Sequence, residues 1–503
     1  MARTSLYNAW VFTVVCFAGY SYGFGFSVFV TTIGQPGFYE YFELDPTTSY
    51  TARILDATNA LFNFGAAFGA LVQSPIADKY GRRIALAVAG AWSLIGTALV
   101  AGSVHVGMMI AVRLFQGFGL GMILALVPLY LNEVAPPRQR GLIAGLTVLS
   151  FGTGYLVCSW VAVGTYNANA TVQWRLPLGL ACLSPLLLLL TLPTIPETPR
   201  YLVWTGKKEE AWAVLRRLHH NTEDPEDRQA HAEFTQIVLQ VEHDREMKVG
   251  WIQIFKIPSL RKRALLCMFL LFATPSTGII GISNYLPLIF GGLGLDGVLP
   301  LVMYGVWTTI GTSMALMSIL IVDRVGRRSL MVWGYPVLAV LLMIQAVLQS
   351  QFLGTDNRGG LAACLVFLFV YILVFQLIDA PAFIWASEVW PTAYRAKGIS
   401  LSFFAFFVGS LTYTTPSALA FRNIAWRMYL LYMGLCLVCG AIIYFFIKET
   451  KGLPLEELAA LFGDEVVVHI TADGTGIVED GELDKVAAIV GTEHVETLGS
   501  KTL

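Results

Sequence analysis

Apolar residues in this chain stand in blocks long enough to cross a bilayer. A hydrocarbon core of about 30 Å takes about 20 mostly apolar residues per helix. Twelve runs of that order stand at 8–31, 53–77, 84–104, 107–132, 141–164, 177–195, 264–290, 298–322, 329–351, 361–387, 396–420 and 427–447. Backbone amides in lipid must be satisfied within each segment. The pattern therefore predicts an all-α polytopic membrane protein with twelve transmembrane helices. The first run is too long for the apolar core of a signal peptide and reads as a first span.

Composition agrees with the pattern: of 503 residues 56% are hydrophobic and only 13% charged, with a mean hydropathy of +0.64, against about 25% charged in ordinary globular chains. The lysines and arginines cluster after runs 2, 4, 6, 8 and 10, in "DKYGRR", "PPRQR", a long linker ending "RKR", "DRVGRR" and "YRAKG". By the positive-inside rule those loops, and both termini, are expected in the cytoplasm. A formal net charge of −1 gives no reason to expect nucleic acid as a partner. All seven cysteines fall within expected spans and read as packing residues, and no metal-ligand spacing or cofactor motif stands out.

Three motifs occur twice. The hexapeptide at Asp78–Arg83 returns at Asp323–Arg328, 245 residues later. An acid and a base seven residues apart, Glu133 and Arg140, return as Glu388 and Arg395, offset by 255. An acid after the last span of each half, Glu197 in "PETPR" and Glu449 in "KETKG", is offset by 252. A common shift of half the chain predicts two six-helix bundles in tandem, a parallel repeat of the major facilitator kind. The expected organisation is a first bundle over 1–196, a linker with short amphipathic helices over 197–263, a second bundle over 264–463 and an acidic, disordered tail over 464–503.

Positive-inside bias does not require acids. Asp78, Arg82, Arg83, Glu133, Arg140, Glu197, Arg200, Asp323, Arg327, Arg328, Glu388, Arg395 and Glu449 are therefore expected to form a cytoplasmic charge network with ion pairs between the halves. Such a latch would favour one conformation.

With "RLFQGFGLG", "PLYLNEVAPPRQRG", "ASEVWPTAYRAKG" and "KETKGLPLEEL", these motifs resemble the sugar porter family of the major facilitator superfamily, most of all its fungal sugar and polyol transporters. The resemblance covers nearly the whole chain except the tail. It implies a major facilitator fold, alternating access, and a solute held near mid-membrane between the halves. The family's span-7 "QQxxGxN" is here "TPSTGII", with Thr274, Pro275 and Ile280 at the amide positions. The span-5 glutamine is Val148, the span-10 "GPxxW" is "DAPAF" with Asp379 and Phe383, and the span-11 Asn-Trp pair is Phe406-Phe407. Each lost hydrogen bond is worth about 0.5–1.5 kcal/mol, which argues against a hexose held in the family's usual pose. The span-1 aspartate of proton-coupled members is also missing, from Tyr22-Gly23-Phe24-Gly25, although its arginine partner remains as Arg113.

Asp379 is an ionisable group well inside a span, where such groups are rare and functional. It is a candidate for proton or substrate handling, against a protonated residue bonded to a neighbouring helix. Asp56 is a second candidate for proton coupling or for balancing Arg113, the alternatives for Arg113 being a watery vestibule or a carboxylate on the solute. Thr277, Asn284, Tyr285, Phe383 and Phe407, with Arg113 and Asp379, are the candidate solute-binding residues. For each the plain alternative is helix packing or an interhelical hydrogen bond.

The functional expectation is a secondary transporter of a sugar or sugar-like small polar solute, with protons as a candidate coupling ion, in a lipid bilayer taken to be the plasma membrane. An acidic relative, such as a sugar acid or cyclitol carboxylate, is the alternative. A non-transporting nutrient sensor on the same scaffold is a reading of another class. No nucleophile–base pair or phosphate-binding loop suggests an enzyme.

Overall fold

The computed structural model describes residues 6–135, 140–219, 227–245, 250–451 and 457–463. The expected acidic tail and the Arg140 side chain lie outside the described residues. Among the described residues, eleven helices are long and apolar enough to cross a membrane. They are α1 (Leu6–Thr32), α2 (Ser49–Tyr80), α3 (Arg82–Ala101), α4 (Val106–Val134), α5 (Gly141–Thr165) and α6 (Ala170–Thr194) in the first half. In the second half they are α8 (Leu299–Val325), α9 (Arg327–Phe352), α10 (Arg358–Glu388), α11 (Arg395–Asn423) and α12 (Arg427–Phe446).

The expected seventh span is helical in three consecutive pieces, Pro258–Ser276, Ile279–Asn284 and Leu286–Gly292, here called α7. It begins earlier than the apolar run at 264 and carries Arg261, Lys262 and Arg263 in its opening turns. The first break follows from the sequence: Pro275 removes a backbone donor, and Gly278 adopts φ +93, where a Cβ would meet the Tyr432 ring at 2.5 Å. The second break falls at Tyr285.

Small residues set how closely helices cross. Gly65 and Gly69 of α2 lie against the backbone of Leu114 and Phe118 in α4, and Gly117 and Gly121 of α4 lie against Phe62 and Ala66 in return. This reciprocal small-residue contact suits membrane helices, whose apolar faces gain nothing by leaving lipid. Between the halves, α2 packs on α11 and α5 on α8. Phe64, Phe68, Ile95, Leu190, Trp333 and Phe445 point outward, the surface a hydrocarbon solvent would cover.

Four short helices link α6 to α7: Pro199–Trp204, Lys208–His219, Arg228–Arg245 and Trp251–Lys256. Ala211, Leu215 and Leu218 are buried on one face of the second, with Val214 partly so. Arg217 stacks on the Tyr7 ring of α1 at 3.7 Å, tying this segment to the bundle.

Candidate functional site

At the end of the molecule that carries the repeated hexapeptides, the two halves build the same cap twice. Glu197 accepts from the backbone N–H groups of Arg82 and Arg83, both at 3.0 Å, and of Thr198 at 2.9 Å. Glu449 accepts from Arg327 at 2.9 Å, Arg328 at 3.0 Å and Thr450 at 3.0 Å. Each carboxylate thus fills the N-terminus of a spanning helix, where four backbone donors lack intrahelical partners. Burial pushes the Glu197 carboxyl above the usual carboxylate range, against the downward pull of those amides and of Arg82.

The turn before each helix is a glycine, Gly81 at φ 97, ψ 163 and Gly326 at φ 104, ψ 150. That region is essentially open to glycine alone. A Cβ would also lie 2.3 Å from Glu197 Oε2 or 2.5 Å from Glu449 Oε2.

Arg82 donates to Glu133 at 3.0 Å, and Arg327 donates to Glu388 at 3.2 Å. Thr198 and Thr450 hydroxyls complete the two acids at 2.7 and 3.4 Å. Asp78 and Asp323 stand 4.0 and 2.8 Å from the same guanidinium groups. Arg83 and Arg328 donate to the carbonyls of Ile195 and Tyr444.

An ion pair does join the halves: Lys397 of α11 donates to Asp78 of α2. Arg82–Glu133, Arg327–Glu388 and the two caps each close within one half. Gln73 of α2 also joins the halves, donating to Ser400 of α11 at 2.6 Å. Arg395 donates to the Trp390 carbonyl at 3.2 Å and lies within electrostatic reach of Glu133 across the interface. Arg200 is buried beside Asp78, Arg82 and Lys397. Lys397 stands in "YRAKG", two residues after Arg395, whereas Gln73 lies outside the quoted motifs, so only the folded interface identifies it.

At the opposite end the halves meet through Asp56. Its carboxylate accepts from the Tyr285 hydroxyl at 2.7 Å and from the amides of Ala418 at 3.0 Å and Leu419 at 3.4 Å. Asn59 donates to the same tyrosine at 3.3 Å. The acid of α2 thus meets the break in α7 and a kink in α11 (α-helix to Thr414, resuming at Ser417). A cavity of ≈ 430 Å³ opens beside this contact, lined by Thr51, Leu55, Tyr285, Gln349, Arg422 and Tyr429 among others.

Between the two ends lies a central cavity of ≈ 80 Å³, with walls from both halves. Tyr22, Phe26, Phe151 and Tyr155 face Tyr304, Trp307, Phe375, Phe383 and Phe406 across it. Among the described residues Asp379 is its only formally charged lining residue, accompanied by Gln376 one turn earlier on α10. Of the candidate solute-binding residues, Asp379 and Phe383 line this cavity and Tyr285 lines the one at the far end.

The others are placed differently. Arg113 donates to Gln116 at 2.7 Å and is stacked between the rings of Phe29 and Phe62 at 4.7 and 4.3 Å. Asp56 is bonded elsewhere, and no ion pair joins it to Arg113 among the described residues. Thr277 bonds the Thr274 carbonyl and its own carbonyl accepts from Tyr371, while Asn284 reaches Thr414 at 3.5 Å. Phe407 packs on Tyr22 and Phe406. The lining rings Tyr22, Phe151 and Tyr155 come from first-half runs so uniformly apolar that their pattern does not separate a cavity face from a packing face.

These features were compared with known proteins. The family model described as "Sugar (and other) transporter" matches residues 11–462. The MFS-type transporter criB of Aspergillus cristatus is 28% identical over 95% of this chain and 97% of its own length. The probable metabolite transport protein CsbC of Bacillus subtilis is 30% identical over 79% of this chain and 83% of its own. The low-affinity glucose transporter HXT1 of Saccharomyces cerevisiae is 27% identical over 90% and 81%. Among solved structures, the proton:xylose symporter XylE bound to 6-bromo-6-deoxy-D-glucose superposes with a TM-score of 0.79, at 23% identity, covering 92% of this chain and all of that one. The inward open form of XylE from E. coli gives 0.68. With the repeated caps, the broken seventh span and a family match over most of its length, this chain belongs to the sugar porter family of the major facilitator superfamily and is a multi-pass membrane transporter of small-molecule solutes.

Proposed function

We propose that this chain is a secondary transporter that carries a small solute across the plasma membrane by alternating access, with the central cavity as solute site and the hexapeptide-bearing end facing the cytoplasm. The observation that carries the reading is the pair of polar contacts joining the halves at opposite ends, Asp56–Tyr285 and Lys397–Asp78, on either side of that cavity. A pathway closed at both ends is the intermediate that alternating access requires. Its ≈ 80 Å³ is far below the roughly 300–1,000 Å³ of ligand pockets, so loading a solute requires the halves to part.

Asp379 is the residue proposed to bind or release the proton, being the sole acid in the cavity wall among the described residues. The glucose carriers among the relatives support a sugar-like solute. The acidic-solute alternative finds no support in the site, since the Arg113 guanidinium is taken up by Gln116 and two rings. A sensor on this scaffold would move nothing.

The test is uptake of labelled hexoses, pentoses, polyols and sugar acids at two pH values, in a host stripped of its own carriers. Movement of none, at either pH, would refute a sugar-like solute for this cavity. Asp379→Asn is expected to flatten the pH dependence, and an unchanged profile would remove Asp379 from the coupling role.

A further inference from the structure

The central cavity is ringed by aromatic side chains and holds one carboxylate. Tyr22 meets Phe151 edge-on at 5.2 Å, Phe151 meets Phe383 at 6.1 Å, and Phe383 meets Phe406 at 5.6 Å. Asp379 borders the same space, and no hydrogen bond or ion pair reaches its carboxylate from the described residues. Gln376, on the same face of α10, leaves its Oε1 without a partner. These two acceptors and the indole N–H of Trp307, which also lacks a partner, stand open in an aromatic wall that contains no lysine, arginine or histidine among the described residues.

A lone carboxylate in a low-dielectric site is costly unless it meets a positive charge or takes up a proton. Aromatic faces attract cations through their quadrupoles, most strongly where water is excluded. A neutral polyhydroxyl solute can stack on these rings and bond the hydroxyls beside them, but it leaves a charged Asp379 without a counter-ion. An anion would meet Asp379 without a compensating base.

We propose that the solute is an organic cation, a charged nitrogen on a ring-bearing body, with Asp379 as its counter-ion and Phe151, Phe383 and Phe406 packed on the ring. The inference rests on the reading of this cavity as the solute site. One carboxylate holds a proton or the cation, not both. Loading therefore breaks the O–H bond of protonated Asp379, releases that proton to water on the open side, and leaves an ion pair with no new covalent bond. One positive charge replaces another, so transport is a one-for-one exchange of cation against proton. The titratable groups that line or adjoin the cavity around Asp379 are the phenols of Tyr22 on α1, Tyr155 on α5, Tyr304 on α8 and Tyr335 on α9. None is a competing acid near neutral pH. The cavity walls from α7 and α11, with Thr274, Ser283 and Phe406, add no titratable group.

The experiment uses the full chain in liposomes with an acidic interior, a trapped pH dye, and three labelled probes: 1-methyl-4-phenylpyridinium, glucose and benzoate. The pyridinium is permanently charged and cannot itself carry a proton. Its uptake is expected to raise the internal pH, and Asp379→Asn to lower that uptake at least tenfold. Glucose uptake with the cation excluded would overturn the cation inference and leave the transport reading standing. Failure to move any of the three would overturn both. Cation uptake without proton counterflow would overturn the exchange, a readout the wild-type chain gives even if D379N does not fold.

Discussion

The two glycines of the hexapeptides show what a single residue can demand. Gly81 and Gly326 hold backbone angles that side chains avoid, and a Cβ at either would run into the carboxylate that caps the next helix. Gly326→Ala is expected to cost about 1–3 kcal/mol, the usual range for such strain, read as a lowered melting temperature in detergent. Gly434, which has open space where a Cβ would stand, is the control, and its alanine variant should melt close to wild type. Equal melting of the two variants would refute the strain argument.

Arg113 makes a second case at this scale. A cation that lost its family partner still sits buried, held by Gln116 and by two rings. Gln116→Leu is therefore expected to destabilise by about 1.5–3 kcal/mol, the worth of a hydrogen bond to a charged group. Thermal unfolding checks it, and a variant as stable as wild type would show that the rings alone suffice.

At the scale of elements, the breaks in α7 and α11 create the far-end contact. A straight α7 would not offer Tyr285 to Asp56 as this kinked one does, and the restart of α11 after Pro416 exposes the amides of Ala418 and Leu419 to the same carboxylate. Replacing Asp56 by Asn removes the charge from that contact. It is expected to loosen this end, measured as faster reaction of a cysteine at Ser283, at the cavity wall, with a membrane-impermeant reagent added from outside. Unchanged labelling would mean that packing, rather than these hydrogen bonds, keeps the end closed.

For the whole molecule, conformational balance rests on a few contacts between halves. Lys397–Asp78 is partly exposed, with side chains 14% and 30% accessible, and such a pair is worth about 0–1 kcal/mol. Lys397→Glu adds repulsion and is expected to shift the population several-fold towards opening on the hexapeptide side. The charge swap Asp78→Lys with Lys397→Glu should restore it. Accessibility of single cysteines on that face reports both, and a single mutant with wild-type accessibility would show the pair to be without influence.

The amino-acid sequence by itself determined the span count to within one broken helix, the tandem repeat, and the acids and arginines of the caps. Hydrophobic length, charge placement and motif spacing are one-dimensional quantities, and bilayer thickness reads them directly. Asp379 also stood out unaided, because a charge inside an apolar run has no ordinary reason to be there.

Only the tertiary structure decided which charges pair. Arg82 and Glu133 lie 51 residues apart and Lys397 and Asp78 lie 319 apart, and no periodicity connects them. It likewise decided that Phe151 and Phe406 face a cavity while Phe407 beside them packs on neighbouring rings. In lipid both faces of a helix can be equally apolar, so hydrophobicity stops reporting direction, and only the packing of one helix on another distinguishes wall from core.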